Sequence, residues 1–235
     1  FSSITIHQTD NLISITTGTL ITGTSYWRGL TDTTWNGNAN NWSQDKAGTL
    51  AALSTPGQGT DVIFQWNAPT SAAVSTTLEQ SFKINSLTFE AATNPANTPA
   101  SVTIASGIDP SFRLSIAPQV ATDGIKITAG GPATVNITAP LRIISDQTWS
   151  VADAGSVLSL GPLFGEADVI KSGAGKVTLT TAADLTFNTT LTSDFTINAG
   201  SLEILTATAL GSTANSNLAT ITVNTGGAFY YNGAV

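Results

Sequence analysis

Three aspartates in successive segments are the residues whose type and spacing could carry chemistry: Asp109, Asp123 and Asp146. Arg113 and Arg142 lie close to them in sequence. Carboxylates that hold Ca²⁺ beside a basic side chain are the catalytic set of some polysaccharide lyases, so a lyase is the sharpest enzyme hypothesis. Asp is also an ordinary turn former, and the turn residues around all three favour that interpretation.

The chain has few residues of the types that other catalytic mechanisms require. His7 is the single histidine, which leaves no His-based relay and few zinc sites, and there is no cysteine nucleophile. We therefore predict a protein that is not an enzyme, with no catalytic residue, no metal and no cofactor.

The composition limits the partners. Only 10% of the residues are charged and the net charge is −7, with eight scattered cations. A nucleic-acid partner needs a basic stripe, so we expect none. No apolar run reaches the roughly 18 residues of a membrane helix, which argues against membrane insertion.

The chain starts at Phe1 and has neither Cys nor Met, which predicts a secreted, extracellular or cell-surface protein whose signal peptide has been removed.

Apolar residues at every second position predict an all-β fold. A strand that begins with glycine recurs as GKVTL at 175, GSLEI at 200 and GAFYY at 227, at intervals of 25 and 27 residues. Such a period without helices favours a parallel β-helix or solenoid, and a β-sandwich is the alternative. The register predicts one stacked core formed by Val177, Leu179, Leu202, Ile204, Phe229 and Tyr231.

A Trp-rich segment lies near the front of the chain, with Trp27, Trp35 and Trp42. The Asn36-Gly37 pair predicts a hairpin across which Trp35 and Trp42 would face each other. The three rings could cap the end of the solenoid core, bind carbohydrate as an exposed platform, or wall an active site. Buried aromatic rings dominate core energetics, which favours the cap.

The C-terminal pattern of DVIKSGAGKVTLT, TINAGSLEIL, ALGS and ITVNTGGAFYYNG resembles the autotransporter-associated β-strand repeat. The lead-in Tyr26-Trp27-Arg28-Gly29, Trp35 and Asn41-Trp42 is similar to that of related secreted bacterial proteins, and Trp149 fits the same pattern. The resemblance covers roughly residues 25 to 235. It implies a secreted or surface-displayed right-handed β-helix of structural or adhesive role, with no catalytic residues to carry over.

We expect an N-terminal extension over residues 1–24 and one solenoid domain over 25–235, with its clearest repeats at 168–235. In the extension, Ile4 and Ile6, then Ile13 and Ile15, alternate with polar residues. Such a segment could fold back as the first coil or be donated to the sheet of a neighbouring subunit.

The C-terminal run with Phe229, Tyr230 and Tyr231 looks like an uncapped strand edge. The function that we predict is a structural subunit of a bacterial surface filament or matrix, with itself as partner in a head-to-tail, non-covalent polymer. A carbohydrate-binding or adhesive module that holds polysaccharide through the Trp residues is the alternative, and a β-helix lyase is a weaker one.

Overall fold

The structure is a computed structural model that describes residues 4–9, 12–17, 23–36, 39–66, 72–119, 123–165, 167–181, 194–206, 208–210 and 220–233. For residues 4–9 and 12–17 it describes only the backbone. Those two segments are β1 (Ile4–Thr9) and β2 (Leu12–Thr17), which pair antiparallel with each other in a two-stranded sheet. Helical residues in the described part are confined to the 3₁₀ turns Ala39–Asn41 and Pro95–Asn97.

Sheet I has nine strands, and all its pairs are parallel except one at its N-terminal edge. Its strands are β3 (Gly23–Trp27), β4 (Trp42–Ser43), β5 (Thr60–Phe64), β8 (Ser86–Phe89), β11 (Asp123–Ile127), β14 (Gln147–Val151), β17 (Val169–Ser172), β19 (Phe195–Ile197) and β21 (Ile221–Val223). The exception is β4, which pairs antiparallel with β3.

Sheets II and III are wholly parallel. Sheet II consists of β6 (Ala73–Thr77), β9 (Ser101–Ala105), β12 (Thr134–Ile137), β15 (Val157–Leu160), β18 (Lys176–Leu179), β20 (Gly200–Ile204) and β22 (Gly227–Tyr231). Sheet III consists of β7 (Phe82–Ile84), β10 (Leu114–Ile116), β13 (Leu141–Ile143) and β16 (Leu163–Gly165).

The chain visits the three sheets in a fixed order, from sheet I to II to III and back to I. One such passage is called a circuit. From β5 to β16 the chain makes four complete circuits, and the strands pair with their equivalents in the adjoining circuits; among the described residues, β6 and β7 begin sheets II and III and β16 ends sheet III, so these three have one such partner each. The last six strands alternate between sheets I and II, and the residues between those pairs lie largely outside the described ranges.

The core is built from side chains that repeat at the same position in every circuit. In sheet II the register aligns Val74, Val102, Val135, Leu158, Val177, Leu202 and Phe229. All but the first and last of these are fully buried. Alternation along each strand sends every second residue inward, which is why a period-two pattern generates one continuous core.

The sequence predictions for this region are confirmed in their coarse form, since the fold is all-β with parallel sheets. Within the described ranges, the antiparallel pairing typical of a β-sandwich is limited to β1–β2, β3–β4 and the isolated bridge between Ser43 and Ala51. The six residues predicted to share a core are aligned in two columns of sheet II. Tyr231 is 43% exposed, because β22 is the last described strand of that sheet.

Glycine is required where β20 begins. Gly200 has a φ of +65°, and a Cβ there would run into the backbone of Gly175 and its neighbours in the preceding circuit. Residues with a Cβ rarely adopt that conformation. The Gly that opens each repeated strand is therefore a corner where two successive circuits touch through their backbones.

Candidate functional site

The aromatic cluster of Trp27, Trp35, Trp42, Phe64 and Phe82 lies where the chain enters the three sheets. Trp27 and Trp42 cross at 73° with ring centroids 4.9 Å apart, and Trp35 crosses Trp42 at 84° and 5.2 Å. Phe64 stacks on Trp27, and Phe82 meets Trp35 edge to face. Such offset and edge contacts are the preferred geometries of aromatic pairs.

The indole N–H groups of two of these rings are satisfied inside the protein. Trp35 Nε1 donates to Thr76 Oγ1 at 3.1 Å, and Trp42 Nε1 donates to the carbonyl oxygen of Trp35 at 3.2 Å. The accessible fractions of the Trp27, Trp35 and Trp42 side chains are 4%, 0% and 0%. Buried, crossed rings offer no flat face to a sugar, so a carbohydrate platform formed by these three rings is not the arrangement found.

The predicted hairpin at Asn36-Gly37 also differs from what is found. The antiparallel pairing joins Trp27 to Trp42, between β3 and β4, and Gly37 lies outside the described residues. Trp35 follows a residue of the parallel bridge Thr34↔Thr77. The two rings of Trp35 and Trp42 meet in the core, but they do so without being partners across a hairpin.

Two carboxylates fix the loops that carry the aromatic cluster. Asp45 accepts the backbone N–H of Leu50 at 2.6 Å and the hydroxyls of Ser43 and Thr49, each at 2.7 Å. The bond from Leu50 is the largest cause that lowers the pKa of Asp45 far below its usual range. Asp32 accepts from Thr34 in the same way, which lowers its pKa as well.

A groove of about 480 Å³, called the β6 groove, opens beside this cluster. It runs between the end of β3, the loop around Gly48 and the edge of β6. The residues that line it are Tyr26, Trp27, Arg28, Gly29, Leu30, Thr33, Lys46, Ala47, Gly48, Gln65, Trp66, Ala73, Val74 and Ser75.

One edge of β6 is occupied by β9 throughout its length. Leu78 N donates to the carbonyl oxygen of Ala105 at 2.9 Å, and the carbonyl oxygen of Ala72 accepts from Ala100 N at the same distance. In a parallel strand, residues alternate in the edge to which they direct both backbone groups. The even-numbered residues of β6 therefore serve β9.

The opposite edge of β6 is only partly occupied. Thr77 N donates to the carbonyl oxygen of Thr33 at 3.0 Å, and Trp35 N donates to the carbonyl oxygen of Thr77 at 2.8 Å. By the same alternation, Ala73 and Ser75 direct their N–H and C=O groups to this edge, which faces the β6 groove. Among the described residues no strand pairs with them there.

Polar side chains are placed around that open edge. The guanidinium of Arg28 lies against Gly48, where a Cβ would come within 3.0 Å of Arg28 Nε. Trp66 is 5% exposed, and its Nε1 is buried with no hydrogen-bond partner in the described part of the chain. Lys46 Nζ contacts Glu90 Oε2 at 2.7 Å. In the part of the chain that the structure describes, the groove thus combines backbone groups with no paired strand, the buried indole N–H of Trp66 and the half-buried guanidinium of Arg28.

The three candidate catalytic aspartates are not brought together. Asp109 accepts the backbone N–H of Ser111 in the turn between sheets II and III, at 2.8 Å. Asp123 pairs with Lys126 at 2.7 Å, and Asp146 accepts a backbone N–H from the next circuit. No group of three or more acidic or His side chains that could hold a metal ion is found among the described residues. The turn-forming interpretation fits Asp109, whereas Asp123 is the first residue of β11 and Asp146 joins two circuits.

Asp146 belongs to a ladder that the sequence did not reveal. Its Oδ1 accepts the N–H of Asp168 at 2.9 Å, Asp168 Oδ1 accepts the N–H of Asp194 at 3.0 Å, and Asp194 Oδ1 accepts the N–H of Thr220 at 2.8 Å. Each of these residues lies just before a strand of sheet I. The ladder therefore ties the same corner of four successive circuits.

Lys171 is buried inside sheet I, with 1% of its surface accessible. It takes a core position between Trp149 and Ile197 in the register. Its Nζ donates to the carbonyl oxygens of Ser172 at 2.7 Å, Gly173 at 2.8 Å and Ala199 at 3.1 Å. Burial lowers the pKa of Lys171 to about 8. The ammonium thus joins the corner at residues 172–173 to the corner at Ala199 in the next circuit through hydrogen bonds. Nothing in the local sequence indicated this role.

The predicted assembly residues lie in two places. Phe229 packs half-buried against the core, whereas Tyr230 and Tyr231 are exposed at the C-terminal end of sheet II. Ile4, Ile6, Ile13 and Ile15 belong to β1 and β2, whose side chains lie outside the described residues.

Comparison with known proteins does not assign the chain to a family. No protein-family model, no curated protein and no solved structure matches the chain. Within the described ranges, no helix is long and apolar enough to cross a membrane.

Proposed function

We propose that this chain is an extracellular structural protein, a β-solenoid subunit that works by non-covalent self-assembly rather than by catalysis. The observation that carries the proposal is the repetition of circuits: from β5 to β22 the strands of sheets I and II pair in parallel with their equivalents in the next circuit, with one register shift, between Asp123 and Ile125 in the β11–β14 pair. A solenoid built in this way contacts only its neighbours along one axis, which suits a rigid spacer or fibre.

The placement of the charged groups supports a structural role. Acidic side chains accept hydrogen bonds in turns and in the Asp146–Asp168–Asp194 ladder, and Lys171 donates hydrogen bonds at a corner between two circuits. These charged groups have their hydrogen-bond partners within the protein and need no substrate as a partner. The lack of Met and Cys and the low charge agree with a life outside the cell.

Free strand edges support self-assembly. An unpaired edge is a template for another strand, and natural proteins normally cover it. Among the described residues, no strand pairs with residues 73 and 75 of β6 at the edge beside the groove. At the other end, β21 and β22 are the last described strands of sheets I and II.

Sedimentation velocity and electron microscopy of the purified 235-residue chain test this proposal. We expect concentration-dependent species larger than one chain, and elongated particles whose length is a multiple of a single solenoid. A monomer that persists at high concentration would argue against self-assembly. Release of unsaturated products from a polysaccharide in the presence of Ca²⁺ would instead assign the protein to the lyases.

A further inference from the structure

The edge of β6 that lies beside the groove is a candidate acceptor site for the self-assembly proposed above. We propose that the β6 groove accepts β1, Ile4–Thr9, from a second copy of this chain, which pairs with Ala73 and Ser75 and completes sheet II at its N-terminal end. The inference rests on the proposed self-assembly and adds the donor strand and its acceptor.

The backbone chemistry requires a polypeptide strand. Ala73 and Ser75 each direct one N–H and one C=O into the β6 groove, with a spacing of two residues. An extended strand returns the matching acceptors and donors at the same spacing, as in β-strand addition. The neighbouring Thr77 already makes this pair of bonds with Thr33 and Trp35. Residues 33–35 of the same chain thus form one parallel bridge with Thr77 at this edge, and among the described residues the pairing does not continue to Ser75 and Ala73.

The side chains around the groove suit an uncharged, alternating strand. Val74 and Leu30 line it with apolar surface, and Trp66 Nε1 is a buried donor without a partner among the described residues. The sequence of β1 alternates Ile4 and Ile6 with polar residues and carries no Lys, Arg, Asp or Glu. Such a strand would fill apolar space without burying a charge.

Direct stacking of two folded ends does not explain this edge equally well. A second copy that placed β22 on β6 would bring its β21 onto β3, since β21 and β22 belong to the same circuit. One edge of β3 is used by β5 along its whole length, and the other edge is used by β4 at Tyr26 and Trp27. A segment that precedes the sheets in the chain avoids this conflict, because it can be added to sheet II alone.

Donor and acceptor both belong to the N-terminal part of the chain. β1 precedes β3 in the chain, and β3 and β6 are the first parallel strands of sheets I and II. The 13 residues from 10 to 22, which include β2, would span at most about 45 Å if fully extended. Exchange between two copies would therefore be reciprocal and would close a two-fold pair. Longer assemblies would then grow from the opposite ends of these pairs.

Ser75→Pro in the full-length chain tests the acceptor. Proline removes the N–H that faces the groove and leaves the bonds to β9, which come from even-numbered residues, untouched. Ser75→Ala is the matched control, because it keeps the N–H. By size-exclusion chromatography with light scattering, wild type and Ser75→Ala should have twice the 24.1 kDa of one chain. Ser75→Pro should run as a monomer with an unchanged circular dichroism spectrum.

Ile6→Pro tests the donor in the same assay and should also give a monomer, whether or not Ser75→Pro folds. A synthetic peptide of residues 1–9 should dissociate the wild-type pair. Amide hydrogen exchange at Ala73 and Ser75 should be slow in the pair and at least 10-fold faster in Ile6→Pro.

The outcomes separate this inference from the proposal on which it rests. A wild-type chain that never associates would overturn both. Association that survives Ser75→Pro and Ile6→Pro would overturn the inference and leave self-assembly standing. A monomeric wild type whose Ala73 and Ser75 amides are protected until Ile6 is replaced would mean that β1 folds back on its own chain. A change in Trp fluorescence with polygalacturonate, abolished by Ser75→Pro, would assign the groove to a saccharide instead.

Discussion

The N-terminal aromatic cluster and the C-terminal circuits close the same core by different means. Around Trp27, Trp35 and Trp42, large rings cross at steep angles, and residues distant in sequence meet once only. In the last circuits, Leu202 and Ile204 sit directly above their equivalents in β18, in the register that also aligns the preceding circuits. One region depends on contacts made once, the other on a contact that is repeated.

The difference has an energetic meaning. A repeated circuit gains its stability from its two neighbours, so that each circuit adds a similar increment. The aromatic cluster has a repeating neighbour on one side only, and it compensates with ring area and with internal hydrogen bonds such as Trp35 Nε1 to Thr76 Oγ1. We therefore expect single substitutions in the cluster to cost more than those in the repeated columns.

Trp35→Ala should have the largest effect. It removes a fully buried ring that contacts Trp42, Phe64 and Phe82, and truncations of this kind cost roughly 3–5 kcal/mol. Trp35→Phe keeps a ring but loses the bond to Thr76, and should cost clearly less. Urea unfolding followed by circular dichroism measures both values. A loss below about 1 kcal/mol for Trp35→Ala would remove the distinction between the two regions.

Leu202→Ala should cost roughly 2–5 kcal/mol, because it leaves a cavity between Val177 and Phe229 in the sheet II column. Ser201→Ala is the matched control on the outer face of the same strand, and should change the free energy of unfolding by less than about 0.5 kcal/mol. Similar values for the two variants would mean that the register of β20 is shifted by one residue.

The buried ammonium of Lys171 predicts a pH dependence. Its pKa is lowered from 10.5 to about 8 in the folded chain, so between these two values the unfolded chain holds more protons. The free energy of unfolding should therefore rise as the pH increases from 8 to 10.5, by at most about 3 kcal/mol from this group. Unfolding titrations at pH 7.5, 9 and 10 should show the rise in wild type. If Lys171→Met shows the same rise, another group is responsible.

Asp194→Ala should have the smallest effect, about 1 kcal/mol for one hydrogen bond at an exposed corner. Asp194→Asn retains an oxygen that can accept the N–H of Thr220 and should be closer to wild type. Differential scanning calorimetry of the two variants measures the difference. Equal losses for Ala and Asn would show that the charge matters more than the acceptor.

The repeated part of the fold was predictable from the sequence, and the part that occurs once was not. The Gly-led strands at 175, 200 and 227 carry their register in their own spacing, so Val177, Leu202 and Phe229 could be aligned without a structure. Alternation is a local property that each strand displays by itself.

The contacts that escaped prediction join segments with no shared pattern. The pairing of Trp27 with Trp42 depends on a loop whose path the local sequence does not determine. The half-open edge of β6 depends on where residues 28–36 leave sheet II, which is a tertiary property. The sequence does not distinguish Lys171 from the other seven cations, and only the carbonyl groups of two circuits explain its burial.

The ladder of Asp146, Asp168 and Asp194 has a genetic consequence. Each carboxylate accepts the backbone N–H of the equivalent residue one circuit later. The chain between two such residues therefore begins and ends at the same corner with the same hydrogen bond. A segment of DNA that encodes one circuit could thus be duplicated or deleted by recombination, and the bonds at the junction would be rebuilt by the next copy. The length of the protein is then free to change in whole circuits, while both of its ends keep their sequences.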